Sequence, residues 1–352
     1  MFVFKREIAK DSLELIIDTL FFSMKSHLSL FLSLGLTVAL TAGAVGQVFA
    51  KEFSDVPREH ASTVAISTLS EEGVISGRPD GSYGPEEVVN RAAALKLILI
   101  GAGISLEENI SESGFSDVPL DQWYVPYVVT AARIGVVNGN PDGSFTPAAP
   151  VKRAAFMKML LEANRFKSDK WQSTSLYKDV PADAWYAAYM NYAGQSGLIS
   201  PDQQGNLYPD SDLTRAEVAD IMYLLRIILK GNDAQYLLSQ SEQQMAQIEV
   251  YVGKNMIPQA KRAAELAVDM TQQAMKNVPE NNVVLGAAKI AKAYSLLVEG
   301  FIAGIQKDSE QARSLLEQSK IKAGEAYDVN PDTQPIGKHV KTRVDEIIGQ
   351  LP

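Results

Sequence analysis

The stretch GNPDGSFTPAAPVKRAAF, Gly139 to Phe156, compresses a tight turn, a short apolar pair and a helix start into eighteen residues. Nearly the same text, GRPDGSYGPEEVVNRAAA, runs from Gly77 to Ala94. Pro-Asp-Gly predicts the turn, because proline presets φ and glycine accepts positive φ. A stretch written twice asks for a search for internal repeats before any local assignment.

Three columns hold one register. Phe53-Ser54-Asp55-Val56-Pro57 recurs as Phe115-Ser116-Asp117-Val118-Pro119 and as Tyr177-Lys178-Asp179-Val180-Pro181, the aspartates lying 62 residues apart each time. Arg91, Arg153 and Arg215 keep that spacing, as do Pro85, Pro147 and Pro209. Each copy then reads as helix, turn, helix. The first helix closes at Gly73, Gly135 or Gly197, the residue type of a left-handed C-cap. The second opens at the arginine, and Phe156, Met159, Leu160 and Ala163 follow the i, i+3, i+4, i+7 spacing of a buried face, as do Val218, Ile221, Met222 and Leu225.

The second helix start carries the chemistry. Thr214-Arg215-Ala216-Glu217 is a capping box, Thr accepting from the N3 amide and Glu accepting from the N-cap amide. An arginine there adds its charge to the orphan amides and the positive end of the helix dipole, a seat for a carboxylate or phosphate. The alternative stands beside it: Arg91, Arg153 and Arg215 pair with Asp55, Asp117 and Asp179 and tie each copy together. Trp123 and Trp185, each followed by a tyrosine, read either as packing between copies or as a sugar platform.

Composition narrows the classes. A formal charge of -9 argues against a general polyanion binder, so no nucleic acid is expected. The chain has no cysteine and only His27, His60 and His339, widely separated, which points to no metal, no cofactor and no thiol or histidine catalysis. The Pro-Asp-Gly turns lack the alternating oxygen ligands of a calcium loop. From Met24, MKSHLSLFLSLGLTVALTAGAVGQVFA has the basic start, apolar run and small-residue end of a secretory signal, with cleavage expected after Ala50 and translation expected to begin at Met24. Cleaved or retained as an anchor, the segment exports the rest of the chain.

Taken together, F-x-D-V, the Trp-Tyr pair, the G-x-P-D-G loop and the T-R-A-E helix start resemble the S-layer homology domain, in three tandem copies. The resemblance implies a mainly α, three-pronged, pseudo-threefold unit with one helix of each repeat in a central bundle. It implies grooves between prongs that bind cell-wall polysaccharide, a peptidoglycan-linked glycan often carrying ketal-linked pyruvate, and so anchor the protein at the cell envelope or cell surface. Carried over residue by residue, the glycan-binding set is Asp55, Asp117, Asp179, Trp123, Trp185, Gly77, Gly139, Arg91, Arg153, Arg215, Thr214 and Glu217. The copies differ: Ala61 stands at the Trp position of the first, Lys152 at the Thr position of the second, and Pro201 at the first loop glycine of the third.

The domain plan is a signal region at 1–50, repeats at 51–112, 113–174 and 175–231, and a helical domain at 232–352. In the last, Ala, Gln, Glu and Lys dominate. Breaks at Gly253, Pro258, Pro279, Asp308 and Pro331 predict helices at roughly 233–252, 257–277, 283–306, 309–328 and 336–349 as an all-α bundle or antiparallel hairpins. No catalytic arrangement is visible there. The expected role is a scaffold, a protein-partner module or a self-association surface. An exported enzyme with its active site in this half, and a self-assembling envelope protein, are the competing readings.

Overall fold

The computed structural model describes residues 53–166 and 176–351, so the signal segment lies outside the described residues. Those residues fold into α-helices and turns, and no helix among them is long and apolar enough to cross a membrane. They form two compact units, one ending at Leu229 and the other beginning at Lys230.

In the repeat unit the first helices are α1 (Thr63–Glu71), α3 (Val125–Arg133) and α5 (Ala187–Gln195). The second helices are α2 (Arg91–Gly101), α4 (Arg153–Ala163) and α6 (Arg215–Leu229). All three second helices start at the arginine that sequence places there. Asn90 caps α2 through the Ala93 amide at 2.8 Å. At α6 the reciprocal box forms, Thr214 Oγ1 accepting from the Glu217 amide at 3.2 Å and Glu217 Oε2 from the Thr214 amide at 2.9 Å. Lys152 gives α4 no side-chain cap.

Prongs are built across repeat boundaries. The second helix of one copy packs on the first helix of the next: α2 on α3, α4 on α5, and α6 back on α1. Centrally α2 packs on α4, and a small cavity is lined by Gly101, Leu160, Asn164, Met222 and Leu225 from all three second helices. Ile98, Leu99, Leu160, Leu161 and Met222 of these helices are buried.

The ring closes through backbone. Val89 N donates to Leu213 O at 2.9 Å, Val151 N to Val89 O at 2.9 Å, and Leu213 N to Val151 O at 3.3 Å, a cycle with one member from each repeat. Isolated bridges pair Asn90 with Pro150, Lys152 with Asp212 and Val88 with Thr214 in the same sense. Within each repeat the opening aspartate clamps the turn: Asp117 accepts from the Phe145 and Thr146 amides at 2.6 and 2.7 Å. Asp55 does so for Tyr83 and Gly84, and Asp179 for Leu207 and Tyr208. Burial pushes the Asp55 carboxyl up, but the two amides outweigh it and hold the group below its usual range.

Among the described residues the second unit contains α7 (Ala234–Gly253), α8 (Ile257–Asn277), α9 (Asn282–Ile305), α10 (Ser309–Val329), the 3-10 turn Pro331–Thr333 and α11 (Gln334–Gln350). Side-chain caps start three of them: Asp233 for α7, Asn281 for α9 and Asp308 for α10. Successive helices pack as antiparallel neighbours, and α9 also touches α7 and α11. Small residues let the backbones approach: Gly300 lies against Leu316, Gly337 against the Ala323 carbonyl, and α8 buries Ala260, Ala263, Ala264, Ala267 and Ala274. Two buried serines cross-link hairpins, Ser241 to the Ala267 carbonyl at 3.1 Å and Ser319 to the Ala293 carbonyl at 2.7 Å. Glu249 on α7 faces His339 and Arg343 on α11 at 3.3 and 3.4 Å; burial raises its pKa, yet these two partners carry it below the normal value.

Two stability outcomes follow from the repeat unit. Asp117→Asn replaces one clamp oxygen by a donor aimed at a backbone N–H, and costs about 2 kcal/mol in denaturant unfolding of this unit. At the α6–α1 closure, Asp220 accepts from Ser62 Oγ at 2.8 Å, and burial, aided by nearby Glu217, raises its pKa from 3.8 to about 7 against the Ser62 bond. A carboxyl raised in the folded state contributes stability that is fully present below its unfolded pKa and lost as pH rises through the folded one. Stability of the unit therefore falls as pH rises toward and through about 7, and Asp220→Asn flattens that slope in melts recorded across the range.

Candidate functional site

The arginines do not pair with the aspartates of the opening motif. Asp55, Asp117 and Asp179 already spend both oxygens on turn amides, and each guanidinium reaches into the turn of the next repeat instead. Arg91 Nε donates to Phe145 O at 3.0 Å, Arg153 Nη1 to Leu207 O at 2.8 Å, and Arg215 Nε to Tyr83 O at 2.8 Å. Two of these cations also lie over the ring of the residue they reach, Arg91 at 4.7 Å from Phe145 and Arg215 at 4.3 Å from Tyr83.

The open amide seat expected at the helix starts is filled as well. Arg91 N and Ala92 N donate to Ala149 O and Pro147 O of the second repeat. Arg153 N and Ala154 N donate to Ser211 O and Pro209 O, and Arg215 N and Ala216 N to Glu87 O and Pro85 O. A neighbouring carbonyl satisfies an orphan helix amide as a ligand oxygen does, so the first two amides of each of these helices are not an open anion seat.

Gly77 and Gly139 have packing duties. A Cβ at either position drives into the ring of Phe53 or Phe115, and Gly139 also sits at φ 73°. The tryptophans are the reverse of core: Trp123 is 54% and Trp185 61% exposed, which sets aside the packing alternative. Each indole leans edge-on against the tyrosine after it, with centroids 5.4 and 5.3 Å apart. Thr214 and Glu217 form the α6 cap, and Glu217 has a second task.

The three inter-repeat grooves therefore differ in charge. In the α2–α3 groove, Arg91 and Lys96 have no carboxylate partner among the described residues, Lys96 Nζ lies 5.7 Å from the Trp123 ring, and burial lowers the Arg91 pKa. In the α4–α5 groove, Glu217 Oε1 accepts from Arg153 Nη2 at 2.8 Å, and Lys158 lies 3.5 Å from Glu162. The first repeat's arginine escapes such pairing because Ala155 holds the Glu217 position one repeat earlier. In the α6–α1 groove, Ala61 replaces the indole, Asp220 replaces the lysine, and Arg215 adds a bond to Ser76 O at 3.2 Å. Lys96, Lys158 and Asp220 share one register position five residues after the arginines, a signal the sequence carried and the motif reading passed over. Among the described residues no group of His, Asp and Glu could hold a metal ion.

The geometry has counterparts. The model of the S-layer homology domain matches residues 52–95, 114–157 and 176–219. S-layer protein EA1 of Bacillus anthracis is 32% identical over 192 residues, and an S-layer protein of Bacillus licheniformis 33% identical over 192 residues. Each of these matches takes in 54% of this chain and 22% of the relative, so the chain spans less than a quarter of those relatives. A Bacillus anthracis protein named as an uncharacterized cell wall amidase is 28% identical over 176 residues, 49% of this chain and 31% of its own length. Residues 52–219 of this chain are three tandem S-layer homology domains.

Proposed function

We propose that this protein holds to an anionic wall polysaccharide through the α2–α3 groove. Its S-layer homology domains make it an exported, cell-surface protein with an anchoring or S-layer role at the envelope. The observation that supports the finer reading is the pair of cations without carboxylates, Arg91 and Lys96, beside an exposed indole, Trp123. A pyranose presents an apolar C–H face to an aromatic ring, and a carboxylate on that sugar, such as a ketal-linked pyruvate, matches a guanidinium and an ammonium. Phe145 beneath Arg91 and the Asp117 clamp on the same turn fix the groove before ligand arrives, which lowers the ordering cost of binding.

The second unit is proposed as a scaffold or partner module, with anchoring rather than catalysis as the task of the chain. Its buried Glu249 is engaged by His339 and Arg343, an ion pair joining the first and last helices. The enzymatic names carried by some relatives describe those proteins.

Sedimentation with purified cell wall, before and after mild-acid removal of pyruvate, tests the reading. Arg91→Ala lowers wall affinity about tenfold, and Lys96→Gln, which leaves the Phe145 contact in place, lowers it severalfold, about what loss of one charged contact costs. Arg153→Ala, already neutralised by Glu217, changes it by less than about threefold. Parental binding by both Arg91→Ala and Lys96→Gln, or no loss on removing pyruvate, overturns the assignment.

A further inference from the structure

The α4–α5 groove keeps the aromatic half of the site and loses the anionic half. Trp185 is 61% exposed, and Tyr208, on the turn that Arg153 reaches, is 48% exposed with φ 54°. Tyr208 takes the position of Gly84 and Thr146 in the other repeats, so this groove alone gains a second exposed ring there. Both cations of α4 are spoken for: Arg153 by Glu217, and Lys158 by Glu162, which also accepts from the Tyr189 hydroxyl. Around the rings stand carboxylates. Tyr208 donates its hydroxyl to Asp202, and the Tyr186 hydroxyl, raised in pKa first by burial, feels Asp210, Asp179 and Asp183 as well.

We propose that the α4–α5 groove binds an uncharged pyranose, and that Glu217 sets this preference by neutralising Arg153. The proposal rests on the reading above that the repeat grooves hold saccharide. A neutral sugar stacks its C–H face on the exposed rings and donates its hydroxyls to the rim carboxylates, which accept only. A carboxylate-bearing sugar meets those same carboxylates while both cations of α4 are already paired, and like charges brought together exclude the wrong partner. Two grooves of opposite taste then read two different residues of one glycan, and tethering converts the second contact into an intramolecular one.

The test uses the full chain, isotope-labelled, with the indole N–H signals of Trp123 and Trp185 assigned by Trp→Phe variants. The probes are the methyl glycosides of glucose, mannose and their N-acetylamino counterparts, each alone and as its cyclic pyruvate ketal. At least one neutral glycoside moves the Trp185 signal more tightly than its ketal does, while ketals act at Trp123. Glu217→Gln, which can keep the helix cap, releases Arg153 and tightens ketal binding at Trp185 about tenfold. No response of Trp185 to any neutral glycoside, equal affinity for both forms, or no change in Glu217→Gln overturns the proposal. A Trp123 signal unmoved by every ketal overturns instead the anionic reading of the α2–α3 groove.

Discussion

Three backbone hydrogen bonds, Val89 to Leu213, Val151 to Val89 and Leu213 to Val151, hold the repeat unit in a closed cycle. A three-membered cycle has no free end, so every N–H and C=O in it is satisfied without a sheet. The rest hangs on this closure. It places the start of each second helix against the turn of the following copy, and there the first two helix amides and the guanidinium find carbonyls. It also forces α6 onto α1, so the last copy completes the first.

Charge is where the copies part company. One glutamate, Glu217, caps its own helix with one oxygen and neutralises the preceding copy's arginine with the other. Alanine holds that position in the first two copies, as Ala93 and Ala155, and leaves Arg215 and Arg91 without it. A common backbone thus carries three electrostatic characters: cationic with an indole, neutralised with an indole, and a clasp in which Asp220 meets Ser62. The clasp forms where Ala61-Ser62 stands in place of the Trp-Tyr of the other copies.

Much of this was legible in the sequence. A fixed period exposes equivalent positions, so the helix starts at Arg91, Arg153 and Arg215, the Asn90 cap, the poor cap at Lys152 and the Thr214–Glu217 box are readable from sequence alone. In the helical half, proline and Asn or Asp caps fixed the breaks, and the helix expected at 257–277 spans those same residues. The period does not say which copy touches which. Pairing Arg91 with Asp117 or with Asp55 looks equally good on paper, whereas both oxygens of each aspartate lie within 2.9 Å of turn amides 28 and 29 residues downstream. The exposure of Trp123 and Trp185 was equally hidden, because an aromatic at a helix start reads alike whether it faces core or solvent.

The cross-boundary grooves bear on how such a chain can change over time. Every copy supplies a helix wall to one groove and a turn wall to another, so drift in one copy is felt at two places at once. Neither duplication nor loss of a single copy leaves the remaining grooves as they were: the ring must reclose with new neighbours. Divergence among Ala93, Ala155 and Glu217 is therefore inherited as a pattern around the ring, and the order of the copies is itself part of the protein's specificity.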